Sequence, residues 1–194
     1  KYVRYIIEEY GIQGISRLNG QFSGIYFDQE LDNIYVFLDR VGSQPIYYYI
    51  NDERFIFSSN LQAFQSLDEL NLQFADGGIN EFLTFGRCLG TLTPLRDIYK
   101  LPPASISKYN LNSNSLQTDI YWRPHYSPVD RPAKHFSQRI SDIFENVFDE
   151  IYDLGCSQGL LLSGGSDSRL VADYIKTSSE CYHMNDWIDN EANI

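Results

Sequence analysis

The sequence predicts two successive folds. An antiparallel, sheet-rich α+β part covers roughly residues 1–130, and a parallel α/β part begins after it. Three observations carry this reading. Between Gly20 and Ser59, short aromatic and β-branched runs alternate with turn residues. After Pro132 the apolar period lengthens to that of one long amphipathic helix. Then "GLLLSGGSDSRLVADYI" (Gly159–Ile175) reads as strand, loop and helix, with a further strand near Cys181–Met184.

Taken in order, Val3, Ile6, Ile7 and Tyr10 share helical spacing, and Gly11 stops that helix. "QFSGIYFD", "NIYVFLD", "PIYYYI" and "RFIFSS" read as antiparallel strands, joined by hairpin connections at 29–33 and 51–53. In the first of these runs both alternating faces carry apolar residues, which predicts a sheet covered on both sides. Residues 59–70 read as a helix capped by Ser58 or Ser59, and 79–86 as another that ends at Gly86. Short β-like runs follow around Ile98–Tyr99 and Ser105–Tyr109. "YWRPHYSPVDRP" (121–132) is an extended connector, and the domain boundary is placed there.

In the long helix Phe136, Ile140, Ile143, Phe144, Val147, Phe148 and Ile151 share one face, which predicts that it packs on a core. Asp142, Glu145, Asp149, Glu150 and Asp153 read as a solvated acidic side. Gly155 ends the helix, and the start of another is expected near the end of the chain.

Composition narrows the function. Of 194 residues 43% are hydrophobic and 15% aromatic, enough for a packed core. The formal net charge of −11 opposes general nucleic-acid binding, although a local site of backbone N–H groups and a metal still suits a polyanion. No apolar run has membrane-spanning length. Cys88, Cys156 and Cys181 are odd in number and widely spaced, which fits a reducing, cytoplasmic setting better than a disulfide framework. The first residue is Lys1 and the single methionine is Met184, so an internal piece of a longer chain is expected.

The loop at 163–168 carries the chemistry. A strand-to-helix junction offers free N–H groups where the helix dipole favours negative charge. Gly164 and Gly165 let a backbone approach a phosphate oxygen closely. Ser163, Ser166 and Ser168 supply hydroxyls, and Asp167 is the one carboxylate, suited to Mg²⁺ shared with phosphates. No lysine follows the glycines as in a Walker loop, and the serines do not form a nucleophile elbow. A Ser/Gly turn that merely caps a helix is the bland alternative, and the phosphate reading is preferred.

"LLLSGGSDSRL" resembles the S-G-G-x-D-S signature of ATP pyrophosphatases of the PP-loop class. "RLNGQFSGIYFD", "FLDRVGSQPIYYY", "INEFLTFG" and "IYKLPPASI" resemble successive segments of glutamine-dependent asparagine synthetases. The group also includes β-lactam synthetases and lasso-peptide cyclases. The resemblance implies a class II glutaminase domain of αββα Ntn-hydrolase fold, joined to a PP-loop synthetase domain. It implies adenylation of a carboxylate (aspartate first) by ATP with Mg²⁺, release of pyrophosphate, and amide formation with ammonia from glutamine.

On this resemblance residues 1–60 are the last part of the glutaminase domain, 61–130 a bridge and 131–194 the start of the synthetase domain. Ser163, Gly164, Gly165, Ser166, Asp167 and Ser168 match the pyrophosphate loop, with Asp167 on Mg²⁺. Leu161 and Met184 match nucleotide contacts. No glutaminase catalytic residue is expected in the chain, since position 1 is lysine and Asn19–Gly20 belongs to a later, structural segment. Ser166 stands where an apolar residue is common. Arg169 reads as a surface residue, with an extra phosphate contact as the alternative. Two other readings stay open: a ligase without glutaminase activity, and a synthetase-like protein without catalysis. ATP, glutamine and aspartate are the expected partners, with a homodimer as the candidate assembly and neither nucleic acid nor membrane as a partner.

The remaining candidates favour structural roles. The cysteines read as inert thiols, and His125, His135 and His183 are too scattered for zinc. Asp39 and Arg40 read as a buried ion pair, and Tyr47, Tyr48 and Tyr49 as core and interface. Asp186, Asp189 and Glu191 read as a solvated helix start.

Overall fold

The structure, a computed structural model, describes residues 2–67, 69–153, 155, 159–175 and, as backbone, 180–183. The chain divides into two compact units, Lys1–Tyr126 and Ser127–Ile194.

In the first unit α1 (Tyr2–Tyr10) leads through Gly11 into a 3-10 helix, Ile12–Arg17. Seven strands follow: β1 (Ser23–Asp28), β2 (Asn33–Leu38), β3 (Tyr47–Ile50), β4 (Phe55–Ser58), β5 (Ile98–Lys100), β6 (Ser105–Asn110) and β7 (Ser115–Ile120). They form two sheets, one of order β1-β2-β6-β7 and one of order β4-β3-β5, with every pairing antiparallel. The helix α2 (Asp76–Phe85) lies between β4 and β5 in the chain and ends at a left-handed Gly86.

The alternation along β2 builds the layers. Successive side chains of a strand point to opposite faces. Phe37 packs with Ile6, Ile7, Ile15 and Leu18 from the helical pieces, and Tyr35 joins them. Val36 and Leu38 pack with Ile46 and Leu101, and Ile34, Tyr48, Phe55 and Phe57 join that second cluster. One face of the four-stranded sheet is therefore covered by α1 and the other by the three-stranded sheet. The contact between sheets is aromatic: the Phe55 ring stacks on Tyr109 at 4.4 Å between centroids. Small residues make the approach, since Ser105 and Ser107 are fully buried on β6.

Coverage on both faces holds for β2 but fails at the sheet edge, where Ile25 and Phe27 of β1 are exposed. Beside them Gly24 leaves room for a ring. A β-carbon at Gly24 would lie 2.5 Å from Phe37 Cε2 and Cζ, well inside contact distance.

Several expectations need correction. Residues 61–126 do not bridge: β5 pairs with β3 and β6 with β2, so they close the unit that residues 1–60 begin. The helix expected at 59–70 is only a 3-10 turn, Leu61–Ser66. Its cap is Asn60, whose side chain accepts from the Gln62 N–H, while Ser58 Oγ instead accepts from the Asn60 N–H. The helix expected at 79–86 begins earlier, at Asp76. The strand β7 was not expected, because SLQTDI is mostly polar and is exposed along much of one side.

In the second unit α3 (Ala133–Asp153) precedes β8 (Gly159–Leu162), α4 (Ser166–Tyr174) and β9 (Glu180–His183). β8 and β9 are parallel neighbours, with Leu160 paired to Cys181, so α4 is their crossover helix. On α3, Phe144 and Phe148 approach the Tyr174 ring at 5.2 and 5.7 Å, and Ser141 Oγ shares a hydrogen bond with Tyr174 Oη at 2.9 Å. The rest of its apolar face is not covered as expected: no residue of α3 is buried, and Phe136, Ile140, Ile143 and Val147 are exposed. Residues 121–132, before α3, contain neither helix nor strand.

Candidate functional site

The serine–glycine loop spans the junction of β8 and α4. β8 is apolar, and Leu160 is its buried anchor while Leu161 faces outward. After Leu162 the chain must leave the strand and turn into a helix within three residues, Ser163–Gly165. Gly164 makes that turn with φ of 76°, in the left-handed region that a side chain disfavours. Gly165 is then the N-cap in extended conformation, with no side-chain cap bond.

This geometry leaves the first N–H groups of α4 without intrahelical acceptors. At this end of a helix the dipole adds positive potential. The first intrahelical bond runs from the Arg169 N–H to the Gly165 carbonyl, at 3.2 Å. The hydroxyls are held close by. Ser163 Oγ and Ser168 Oγ share a hydrogen bond at 3.2 Å, and Ser168 Oγ also donates to the Gly165 carbonyl at 3.1 Å. Ser166 Oγ donates to Asp167 Oδ1 at 3.2 Å. Arg169 Nε donates to the Gly165 carbonyl at 3.4 Å, which keeps this exposed side chain beside the loop.

Among the described residues, nothing crowds the glycine pair at its second member. A β-carbon at Gly165 would meet only Ser163 Oγ, at an ordinary 3.5 Å. The glycine therefore leaves open the side from which an anion would reach the backbone. Asp167, in the first turn, is exposed and accessible to a cation.

Thus Ser163, Gly164, Gly165, Ser166, Asp167 and Ser168 form one continuous surface, with Leu161 two residues upstream. Met184 lies outside the described residues, as do Asp186, Asp189 and Glu191. Among the described residues no three His, Cys, Asp or Glu side chains gather into a metal-binding group. Cys88 donates its thiol to the Gly78 carbonyl at 3.2 Å, and burial followed by the nearby Glu81 charge pushes its pKa up, away from the reactive thiolate. Cys156 and the side chains of Cys181 and His183 fall outside the described residues.

The first unit holds a second polar centre, of a different kind. Asp39 is buried, but the expected ion pair with Arg40 is absent: Arg40 is exposed, and backbone groups hold the carboxylate. It accepts from the N–H groups of Phe22 and Val41 at 3.0 Å each, and from the Ser43 N–H at 3.1 Å. Ser43 Oγ donates as well, at 3.2 Å. Burial pushes this carboxyl up, but these hydrogen bonds together outweigh it and hold its pKa below the ordinary value. The Asp39 carbonyl accepts from the Gly42 and Ala104 N–H groups, and Tyr121 Oη donates to the neighbouring Leu38 carbonyl. Asp39 thus ties together the start of β1, the β2–β3 loop and the start of β6. Sequence reasoning missed this clamp; the available signal was a short acceptor followed by glycine and serine three and four residues later.

The comparisons follow the division into units. Residues 3–122 match the family model described as glutamine amidotransferase domain, which spans nearly all of the first unit. A Methanocaldococcus jannaschii protein named "Putative asparagine synthetase (glutamine-hydrolyzing) 2" is 24% identical over 164 residues, 83% of this chain and 32% of that protein. The Bacillus subtilis "Asparagine synthetase (glutamine-hydrolyzing) 2" is 26% identical over 187 residues, 88% of this chain and 24% of that protein. The chain thus spans about a third or less of the relatives it matches. With antiparallel sheets over the matched residues and the family model covering more than half its length, the chain belongs to the glutamine amidotransferase domain family.

Proposed function

We propose that the chain forms part of a glutamine-dependent, asparagine synthetase-like enzyme. Its second unit binds ATP at the β8–α4 loop, as the opening part of a PP-loop domain. A carboxylate, aspartate before others, attacks the α-phosphorus and pyrophosphate leaves. Ammonia released from glutamine then displaces the nucleotide from the activated carboxyl group and forms the amide. The observation that carries this reading is the order of groups at one junction: apolar parallel strand, glycine pair, hydroxyls, aspartate, helix.

The residues divide the work. The N–H groups at the start of α4 and the hydroxyls of Ser163, Ser166 and Ser168 bind and orient the phosphates. Gly165 keeps a side chain out of their way. Asp167 and the phosphate oxygens suit Mg²⁺, an ion that prefers oxygen ligands. When bound, Mg²⁺ supplies positive charge against the phosphate oxygens. Leu161, outward on β8, offers an apolar contact for the nucleotide, and Met184 is proposed for the same role.

The test is pyrophosphate release from Mg·ATP by the protein at its full natural length. Asp167→Ala is expected to lower release by roughly a hundredfold or more. Its glutamine hydrolysis, which depends on the first unit, should persist. Unchanged pyrophosphate release would refute the metal role of Asp167.

A further inference from the structure

Arg169 is the fourth residue of α4, and its charge stands in an unfavourable place. The amino end of a helix carries partial positive charge, so it favours carboxylates and disfavours cations. Asp173, four residues further along the same helix, is exposed and at a spacing that allows an ion pair. Among the described residues Arg169 forms no such pair, either with Asp173 or with Asp167. Its side chain turns back instead, and Nε donates to the carbonyl of Gly165, the N-cap, at 3.4 Å. Helix side chains lean toward the amino end, which gives a long residue at this position that reach.

Two positive features are thus held together at one junction, the guanidinium and the start of α4. An anion that touches both relieves their repulsion. The Asp167 carboxylate is engaged at Oδ1 by Ser166 Oγ and is not that partner. The Arg169 Nε–H is committed to Gly165, while the terminal nitrogens keep a planar set of donors that matches two oxygens of one phosphate group.

On the basis of the ATP site proposed at this loop, we propose that Arg169 binds the β- and γ-phosphates of ATP and holds the pyrophosphate as it leaves. In that step a carboxylate oxygen bonds to the α-phosphorus, and the bond from this phosphorus to the bridging oxygen breaks. The electron pair stays on the bridging oxygen, so pyrophosphate gains negative charge, which the guanidinium stabilises. This contact is direct, whereas Asp167 acts through a metal ion.

Calorimetric titration of the full-length protein with inorganic pyrophosphate tests the assignment, once with Mg²⁺ and once with EDTA. Arg169→Gln is expected to weaken binding roughly tenfold or more in both conditions. Asp167→Ala should weaken it only with Mg²⁺. Arg169→Lys keeps the charge without the fork and should recover part of the affinity. AMP lacks the β- and γ-phosphates, so it should bind Arg169→Gln and wild type alike. Pyrophosphate binding that Arg169→Gln leaves unchanged would overturn the assignment, and a loss confined to Asp167→Ala would leave the ATP site standing without it. Equal losses of AMP and pyrophosphate would make Arg169 a support of the loop and would overturn it as well. A wild-type protein that binds neither ATP nor pyrophosphate would overturn the ATP site itself, and this assignment with it.

Discussion

At the scale of single residues, Asp39 shows how a charge can be buried without a counter-ion. Three N–H groups and a hydroxyl converge on its carboxylate, and all of them become unsatisfied if it is removed. Asp39→Ala is therefore expected to cost about 3 kcal/mol, read from urea denaturation. The pH dependence follows in sign. The folded pKa is lowered from its unfolded value, about 3.9, so the stabilisation is fully present above that value. It is lost as pH falls through the folded pKa. Wild type should lose stability more steeply than Asp39→Asn between pH 5 and pH 2.5, and parallel profiles would remove Asp39 from the acid transition. The strand, loop and helix around Ser163–Gly165 were legible in the sequence because their signals are local and contiguous. The Asp39 clamp was not, because its partners at 22 and 104 are brought in only by the fold.

At the scale of elements, α2 has two adjacent glycines with opposite roles. A β-carbon at Gly78 would lie 1.9 Å from the Thr93 carbonyl oxygen, so the helix rests directly on the 93–94 backbone. At Gly77 the nearest atom is Leu92 Cδ1, at 4.0 Å. Gly78→Ala should destabilise by about 2 kcal/mol as backbone is pushed apart. Gly77→Ala should stabilise by about 0.5 kcal/mol through helix propensity. Thermal unfolding should rank Gly77→Ala above wild type and wild type above Gly78→Ala; any other order refutes the packing difference. The strands were legible where aromatic and β-branched residues repeat, as in NIYVFL and YYYI. β7 was not legible, because its strand state comes from pairing with β6 rather than from its own composition. The segment after Ser59 misled because its apolar spacing suits a helix, while Asn60 caps only a short 3-10 turn before Leu67 leaves helical geometry.

At the scale of the whole molecule, the division into two units predicts where the chain opens. Residues 121–132 carry neither helix nor strand, and Tyr126 is 88% exposed. Arg123 and Arg131 each precede proline, so trypsin is a poor probe there. Limited chymotrypsin digestion should cut first after Tyr126 and separate the two units. Early cuts within the strands of the first unit would contradict its compactness. The connector was legible from its prolines. The extent of the first unit was not, because β6 joins β2, and β7 joins β6, only after a long excursion through β3, β4, α2 and β5.

The ring of Phe37, seated where a β-carbon at position 24 would be, also constrains how this sequence can diverge. Alanine at 24 would force the Phe37 ring to shift, since its β-carbon would lie 2.5 Å from that ring. The order of substitutions therefore matters: position 24 gains a side chain at lower cost once residue 37 has become smaller. The two sites on neighbouring strands are bound by history as well as by contact.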